Sequence, residues 1–220
     1  IQAVSSLRKL NENMRILNIT CAGIVDRDTR DSSQIEELKG QGIKVLPCSE
    51  IENIFSLSSI AHKILEIEGF TGDELINKKE QFKAELLGHI KNELSGDKLE
   101  AFVAKRIHRR IDAYLKKIDF SDTKNGNEIK DKLSSELSVL TESQINEWIS
   151  EMRDEIQECI KNEDIDRLLC IYENKGLLAK TASILASTSK SNFEGWLIRQ
   201  LKVPNNSLLQ AIKSILPKLI

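Results

Sequence analysis

The pattern of apolar and polar positions separates a strand-containing N-terminal part of this chain from a longer helical part. Residues 16–25 form an almost continuous apolar run rich in β-branched residues, which predicts a strand buried on both faces. Residues 43–48 predict a second strand, and Ser33 and Glu36 have the spacing of a capping box that opens a short helix between the two. A strand, a short helix and a strand in this order predict a parallel βαβ unit.

From residue 49 onward, apolar residues recur at helical spacing. Ser49 and Glu52 have the spacing of a second capping box, which predicts a helix running to about residue 68. Only residues 168–172 form a short apolar run that predicts another strand. The pattern therefore predicts an α/β fold, with a partial parallel βαβ core in residues 1–70 followed by a predominantly α-helical domain in residues 71–220. The helices predicted within that domain cover residues 73–94, 97–118, 126–139, 142–161, 176–187 and 191–202, and a last one ends near residue 216.

Composition narrows the class of protein. The chain has 220 residues and a formal net charge of −2, so any binding to nucleic acid has to use a local basic patch. No apolar run approaches the ~20 residues that span a membrane, and the first residues lack the pattern of a signal peptide. The four cysteines have no metal-ligand spacing, which favours reduced thiols in a cytoplasmic protein over a zinc site. Because the chain begins with Ile inside a helical pattern, we expect it to be part of a longer protein.

Acidic residues follow both predicted strands. Asp26 and Asp28 end the first strand, and Glu50 and Glu52 follow the second. The carboxyl ends of parallel strands meet at one edge of a sheet, so we expect these four side chains to lie near one another. Mg²⁺ prefers oxygen ligands and needs only one or two carboxylates, so a divalent metal site is favoured over a simple aspartate turn. For Glu52 the alternative is the capping box with Ser49, and for Glu50 it is a first-turn position that suits the helix dipole.

A second candidate surface lies on the helix predicted over residues 97–118. Lys98, Lys105, Arg109 and Lys116 fall on one line of this helix, opposite its apolar residues. Such a line could follow a phosphate backbone, although a solvated helix face is the commoner explanation. Elsewhere, Lys175 before Gly176 gives a weak indication of phosphate binding, and the sequence contains no P-loop.

Residues 23–28 (GIVDRD) and 50–53 (EIEN), in this order, resemble the TOPRIM-type domain of OLD-like nucleases from bacterial anti-phage defence. Those nucleases are fused to, or encoded beside, an ABC-type ATPase, and the resemblance covers about residues 1–60. It implies that Asp26 and Asp28 hold Mg²⁺ or Mn²⁺. From the position of the two glutamates, Glu50 is the better candidate for a further metal ligand that assists in catalysis, and Glu52 is the second candidate. The resemblance also implies cleavage of DNA or RNA phosphodiesters, with nucleic acid, the ATPase and a possible second copy of the chain as partners.

The chain departs from that family in one respect. The family's catalytic glutamate, on an earlier strand, has no counterpart here, and we expect it to lie just upstream of Ile1. An upstream apolar strand ending in Glu-Gly would favour a metal-dependent nuclease. Without that strand, the alternative is a catalytically silent TOPRIM-like module that docks an ATPase or self-associates through its long helices.

Overall fold

A computed structural model describes residues 23–28, residue 30 and residues 32–218, apart from the side chains of Ser32 and Ser33. The first part of the predicted strand, residues 16–22, lies outside the described residues, as do residues 1–10. The predicted capping box of Ser33 and Glu36 depends on the side chain of Ser33, so it too lies outside the described residues.

The N-terminal elements form a strand–helix–strand unit. Strand β1 (Gly23–Val25) is followed by helix α1 (Ser32–Gly40) and strand β2 (Ile43–Val45). The two strands pair in parallel, with Ile24 opposite Lys44. The Leu46 N–H donates to the Val25 carbonyl at 2.9 Å and extends the pairing beyond β2. The predicted parallel pair is therefore present, and these are the two strands among the described residues.

Helices make up most of the remaining chain. After β2 come a 3-10 helix (Ile51–Ser56) and then α2 (Ser58–Ile67), α3 (Gly72–Glu93), α4 (Asp97–Leu115), α5 (Gly126–Leu137), α6 (Glu142–Lys161), α7 (Ile165–Ile171), α8 (Leu177–Ala186), α9 (Lys190–Lys202) and α10 (Ser207–Ile215). The α/β class with a predominantly helical region is confirmed in this coarse form.

The strand predicted at residues 168–172 is wrong, because most of this segment belongs to α7. Asp164 caps the helix by accepting from the Arg167 N–H at 3.0 Å. Ile165, Leu168 and Leu169 are all buried, so the apolar residues follow the spacing of a helix packed on a core. A short apolar run is compatible with a buried strand or a buried helix. Here the cap formed by Asp164 favours the helix.

The single helix predicted from residue 49 to about 68 is interrupted. A 3-10 helix ends at Ser56, Leu57 adopts an extended conformation, and α2 starts at Ser58. The predicted capping box of Ser49 and Glu52 does not form. The Ser49 hydroxyl donates instead to the carbonyl of Tyr172 at 2.5 Å, and Glu50 is the residue at the N-cap.

The chain divides into two compact units, Ile90–Glu163 and the remainder on either side of it. The core of the discontinuous unit is formed by fully buried side chains of α2, α7, α8, α9 and α10, which include Ile60, Leu169, Leu177, Phe193 and Leu208. The predicted boundary at residue 70, between a TOPRIM-like core and a helical domain, stays a prediction.

In the unit Ile90–Glu163, α4 packs against α6. Val103 and Ile156 are among its buried residues. The Arg110 guanidinium lies 4.2 Å from the ring centroid of Trp148, and Arg153 forms an ion pair with Glu100. Within the described part of the chain, no helix is both long enough and apolar enough to cross a membrane.

Candidate metal centre

The loops that follow β1 and β2 lie side by side. The backbone N–H of Asp28 donates to the carbonyl of Ser49 at 3.1 Å. The backbone N–H of Ile51, at the start of the 3-10 helix, lies close enough to the carboxylate of Asp26 to lower its pKa. The structure thus brings Asp26 to the segment that carries Glu50 and Glu52, beyond the carboxyl ends of the two strands.

Arg30 shapes the loop after β1. Its Nη1 lies 2.6 Å from the carbonyl oxygen of Asp26 and 2.9 Å from Oδ2 of Asp28. Asp28 has a positive φ of 47°, a left-handed conformation that aspartate tolerates better than most residues. The carboxylate of Asp28 is therefore held by an arginine in this conformation, whereas that of Asp26 is turned toward the second loop.

The pKa of Asp26 is raised above its ordinary value. Partial burial is the largest cause, and the negative charges of Asp28 and Glu52 raise the pKa further. The N–H of Ile51 and the charge of Arg30 act in the opposite direction but do not cancel the shift. The ionised form of Asp26 is therefore disfavoured relative to that of a solvated aspartate, and a positive charge beside it would favour the ionised form.

Glu50 lies in a similar environment. Burial is again the largest cause of its raised pKa, followed by the charges of Glu52 and Glu173, while Lys175 lowers it. The Oε2 atom of Glu50 is buried and has no hydrogen-bond partner. A buried carboxylate oxygen without a donor is unfavourable unless a cation or a water reaches it.

Glu173 and Lys175 also belong to this cluster. The sequence pattern did not predict that they lie near the acidic residues that follow β1 and β2. They follow α7, and the carbonyl of the preceding Tyr172 accepts hydrogen bonds from Ser49 and Asn53. Lys175 had only the neighbouring Gly176 to indicate a role, and no local pattern singled out Glu173. Their position follows from a contact between segments 123 residues apart in the sequence.

These residues fit a magnesium or manganese ion only if protein side chains supply few of its ligands. Among the described residues, no group of three or more His, Cys, Asp or Glu side chains is arranged to hold a metal ion. Mg²⁺, however, commonly uses one or two carboxylates and completes its shell with water and substrate oxygens. The Oε2 atom of Glu50, which has no hydrogen-bond partner, and the repulsion between Glu50 and Asp26 match such an open site. Glu52 adds negative charge to the site, and Asp28 is held by Arg30.

Of the four basic residues predicted to contact nucleic acid, three lie on α4, and Lys116 is the C-cap residue directly after it. Lys98, Lys105 and Lys116 are exposed, and Arg109 is half-buried. Lys98 pairs with Glu93 at 3.0 Å, and Lys116 pairs with Asp112 at 3.4 Å. A phosphate backbone would therefore have to compete with carboxylates for at least these two lysines.

Cys48 lies directly before the acidic loop and is fully buried. Burial, together with the neighbouring Cys170 and Asp26, raises the pKa of the Cys48 thiol to about 12. Because only the thiolate reacts with iodoacetamide, we expect Cys48 to stay unmodified at pH 8 in the folded protein and to react fully in urea. Peptide mapping by mass spectrometry measures this, and modification of Cys48 in the folded protein would contradict the burial described here.

Cys48, Cys159 and Cys170 are thiols and are not joined in disulfides.

The chain matches no protein-family model, no curated protein and no solved structure.

Proposed function

We propose that this chain is the effector part of a metal-dependent nuclease that cleaves DNA or RNA phosphodiesters and works with an ABC-type ATPase in bacterial defence. The observation that carries the proposal is the meeting of Asp26, Glu50 and Glu52 beyond the ends of two parallel strands. Partial burial and mutual repulsion raise the pKa of Asp26 and of Glu50. Such a cluster destabilises the fold when it is empty, and a divalent cation offsets that cost.

Each residue of the cluster has a distinct task in this proposal. Asp26, Asp28 and Glu50 would hold Mg²⁺ or Mn²⁺, with Glu52 as a further ligand candidate; Asp28 would first have to exchange its contact with Arg30. The bound ion would polarise the scissile phosphate and lower the pKa of a water molecule. Lys175, whose charge acts on Glu50, would contact a phosphate oxygen of the substrate.

In the same proposal, Lys98, Lys105, Arg109 and Lys116 guide the nucleic acid strand. Lys98 and Lys116 are engaged in exposed ion pairs, which contribute little stability and exchange readily. Their replacement by phosphate contacts would make binding weaker as salt concentration rises. Cys48, Cys159 and Cys170 are thiols and not disulfides, which agrees with the cytoplasmic location that we propose for the protein.

Metal dependence tests the proposed activity. We expect the natural protein, with its ATPase partner and ATP, to cleave DNA or RNA in Mg²⁺ or Mn²⁺ and to lose all cleavage in EDTA, because the acidic cluster cannot position water without a cation. Gel analysis of end-labelled single- and double-stranded DNA and RNA measures the cleavage. Ca²⁺ is a useful comparison, since it binds oxygen ligands but has a larger, less strict coordination shell. Equal cleavage in EDTA and in Mg²⁺ would contradict the proposal.

One observation favours the second candidate function, a silent module for assembly. On α5, Ile129, Leu133 and Leu137 repeat every four residues and are all substantially exposed, and no residue of this helix is buried. An exposed apolar stripe of this kind is typical of a helix that packs against a partner. Absence of cleavage on every substrate in Mg²⁺ and in Mn²⁺, together with a stable complex between the chain and the ATPase, would favour this module over the nuclease.

A further inference from the structure

Ser49 connects three segments of the discontinuous unit. Its backbone N–H donates to the carbonyl of Leu169 on α7 at 2.9 Å, and its own carbonyl accepts from the N–H of Asp28 at 3.1 Å. Its hydroxyl donates to the carbonyl of Tyr172 at 2.5 Å. The residue is completely buried and precedes Glu50. A single serine therefore links the loop of Asp28, the loop of Glu50 and the end of α7.

Asn53 reinforces the same connection. Its side-chain Nδ2 donates to the hydroxyl of Ser49 and to the carbonyl of Tyr172, each at 3.0 Å. Asn53 is completely buried and Tyr172 nearly so. The Tyr172 carbonyl thus accepts two side-chain hydrogen bonds in a place that is shielded from water, where such bonds restrict the backbone most strongly.

The segment that follows Tyr172 is also fixed internally. Nδ2 of Asn174 donates to the hydroxyl of Tyr172, and Oδ1 of Asn174 accepts from the N–H of Gly176, both at 2.7 Å. These two hydrogen bonds connect both ends of the loop of residues 172–176 to the side chain of Asn174. This loop carries Glu173 and Lys175, whose charges act on Glu50.

We infer that Ser49 and Asn53 are positioning residues. They hold the loop of residues 172–176 against the loops that carry Asp28 and Glu50, so that this loop forms one side of the proposed metal centre. The metal in this statement rests on the proposed function, whereas the hydrogen bonds do not. Ser49 and Asn53 contact neither a metal nor a substrate and act through Glu173, Lys175 and Glu50. Outer partners of this kind typically change metal affinity by roughly 10- to 100-fold when they are removed.

Ser56 provides a matched control. It too is a completely buried serine in the segment after β2, and its hydroxyl forms a buried hydrogen bond of 2.7 Å with Thr181 on α8. Ser49→Ala and Ser56→Ala therefore each remove one buried hydroxyl from the same part of the molecule. Only the first change releases the Tyr172 carbonyl from a hydroxyl donor.

The test compares these variants in the natural protein by two readouts. Titration with Mn²⁺, followed by electron paramagnetic resonance, gives the dissociation constant, and hydrogen exchange with mass spectrometry gives the mobility of residues 172–177. We expect Ser49→Ala and Asn53→Ala to weaken Mn²⁺ binding roughly 10-fold or more and to speed exchange in residues 172–177. Ser56→Ala should change neither quantity, although it lowers the urea midpoint like the others.

A double substitution separates positioning from a general loss of structure. If Ser49 acts through Glu173, the effect of Ser49→Ala on Mn²⁺ affinity should shrink in a Glu173→Gln background, because the two changes remove the same contribution. Full additivity, or an equal loss of Mn²⁺ affinity in Ser56→Ala, would overturn the inference. If the unaltered protein binds no Mn²⁺, the proposed function fails. Exchange in residues 172–177 then decides the inference alone, and equal rates in Ser49→Ala and Ser56→Ala would overturn it.

Discussion

Replacement of Asp26 by alanine in the natural protein is expected to reduce Mg²⁺-dependent cleavage by at least roughly 100-fold while leaving the fold intact. Asp26 is the acid of the first loop that is turned toward the second loop, where the Ile51 N–H lowers its pKa and its charge acts on Glu50. Its removal takes away one of the few oxygen ligands that the site offers. Rates on an end-labelled substrate at several Mg²⁺ concentrations measure the loss.

Two further variants make this result specific. Asp26→Asn keeps a side chain of the same shape with one carbonyl oxygen but lacks the charge, so it should be as inactive as the alanine variant at low Mg²⁺. Asp73→Ala removes an exposed aspartate from the first turn of α3 and should cleave at the normal rate. Unchanged cleavage by both Asp26 variants at limiting Mg²⁺ would exclude Asp26 as a metal ligand.

The sequence was sufficient for the elements whose signals are local. The parallel pair of β1 and β2 follows from β-branched runs and a short helix between them. The helix predicted over residues 142–161 is α6, which begins directly after Thr141, whose side chain caps it by accepting from the Gln144 N–H. The apolar run at residues 168–172 misled because neither its length nor its composition distinguishes a buried strand from a buried helix.

The candidate site was predictable only in part, for a different reason. Asp26, Asp28, Glu50 and Glu52 follow strand ends, so their neighbourhood is a consequence of parallel pairing. Glu173 and Lys175 join them because Ser49 and Asn53 hold the carbonyl of a residue more than a hundred positions away. No periodicity or motif carries such a contact. The capping box of Ser49 with Glu52 failed for the same reason, since the Ser49 hydroxyl is committed to Tyr172.

Glu50→Gln is expected to affect stability in opposite directions with and without metal. The pKa of Glu50 is raised in the folded state, so the folded state holds this proton more tightly than the unfolded chain does. The ionised carboxylate therefore destabilises the fold increasingly as pH rises from the unfolded pKa through the folded pKa, and by a constant amount above it. Removing that charge should therefore raise the metal-free free energy of unfolding at pH 7.

Urea unfolding in EDTA at pH 7 and at pH 3 measures this effect. The difference between Glu50→Gln and the unaltered protein should disappear at pH 3, because Glu50 is protonated in both states below its unfolded pKa of about 4.3. Glu80→Gln, at an exposed position on α3, should show no such pH-dependent gain. A metal-free stability that falls in Glu50→Gln would mean that the carboxylate has a stabilising partner instead of being strained.

Adding Mn²⁺ should reverse the order of the two proteins. A cation that binds only the folded state stabilises it by about 2.7 kcal/mol at a concentration 100 times its dissociation constant. The unaltered protein should gain this stabilisation, whereas Glu50→Gln, which has lost one ligand oxygen and a charge, should gain much less. The variant would then be the more stable protein in EDTA and the less stable one in Mn²⁺. A structural carboxylate with no role in metal binding would leave the order of the two stabilities unchanged. A reversal of that order would therefore show that Glu50 destabilises the metal-free protein and stabilises the metal-bound one.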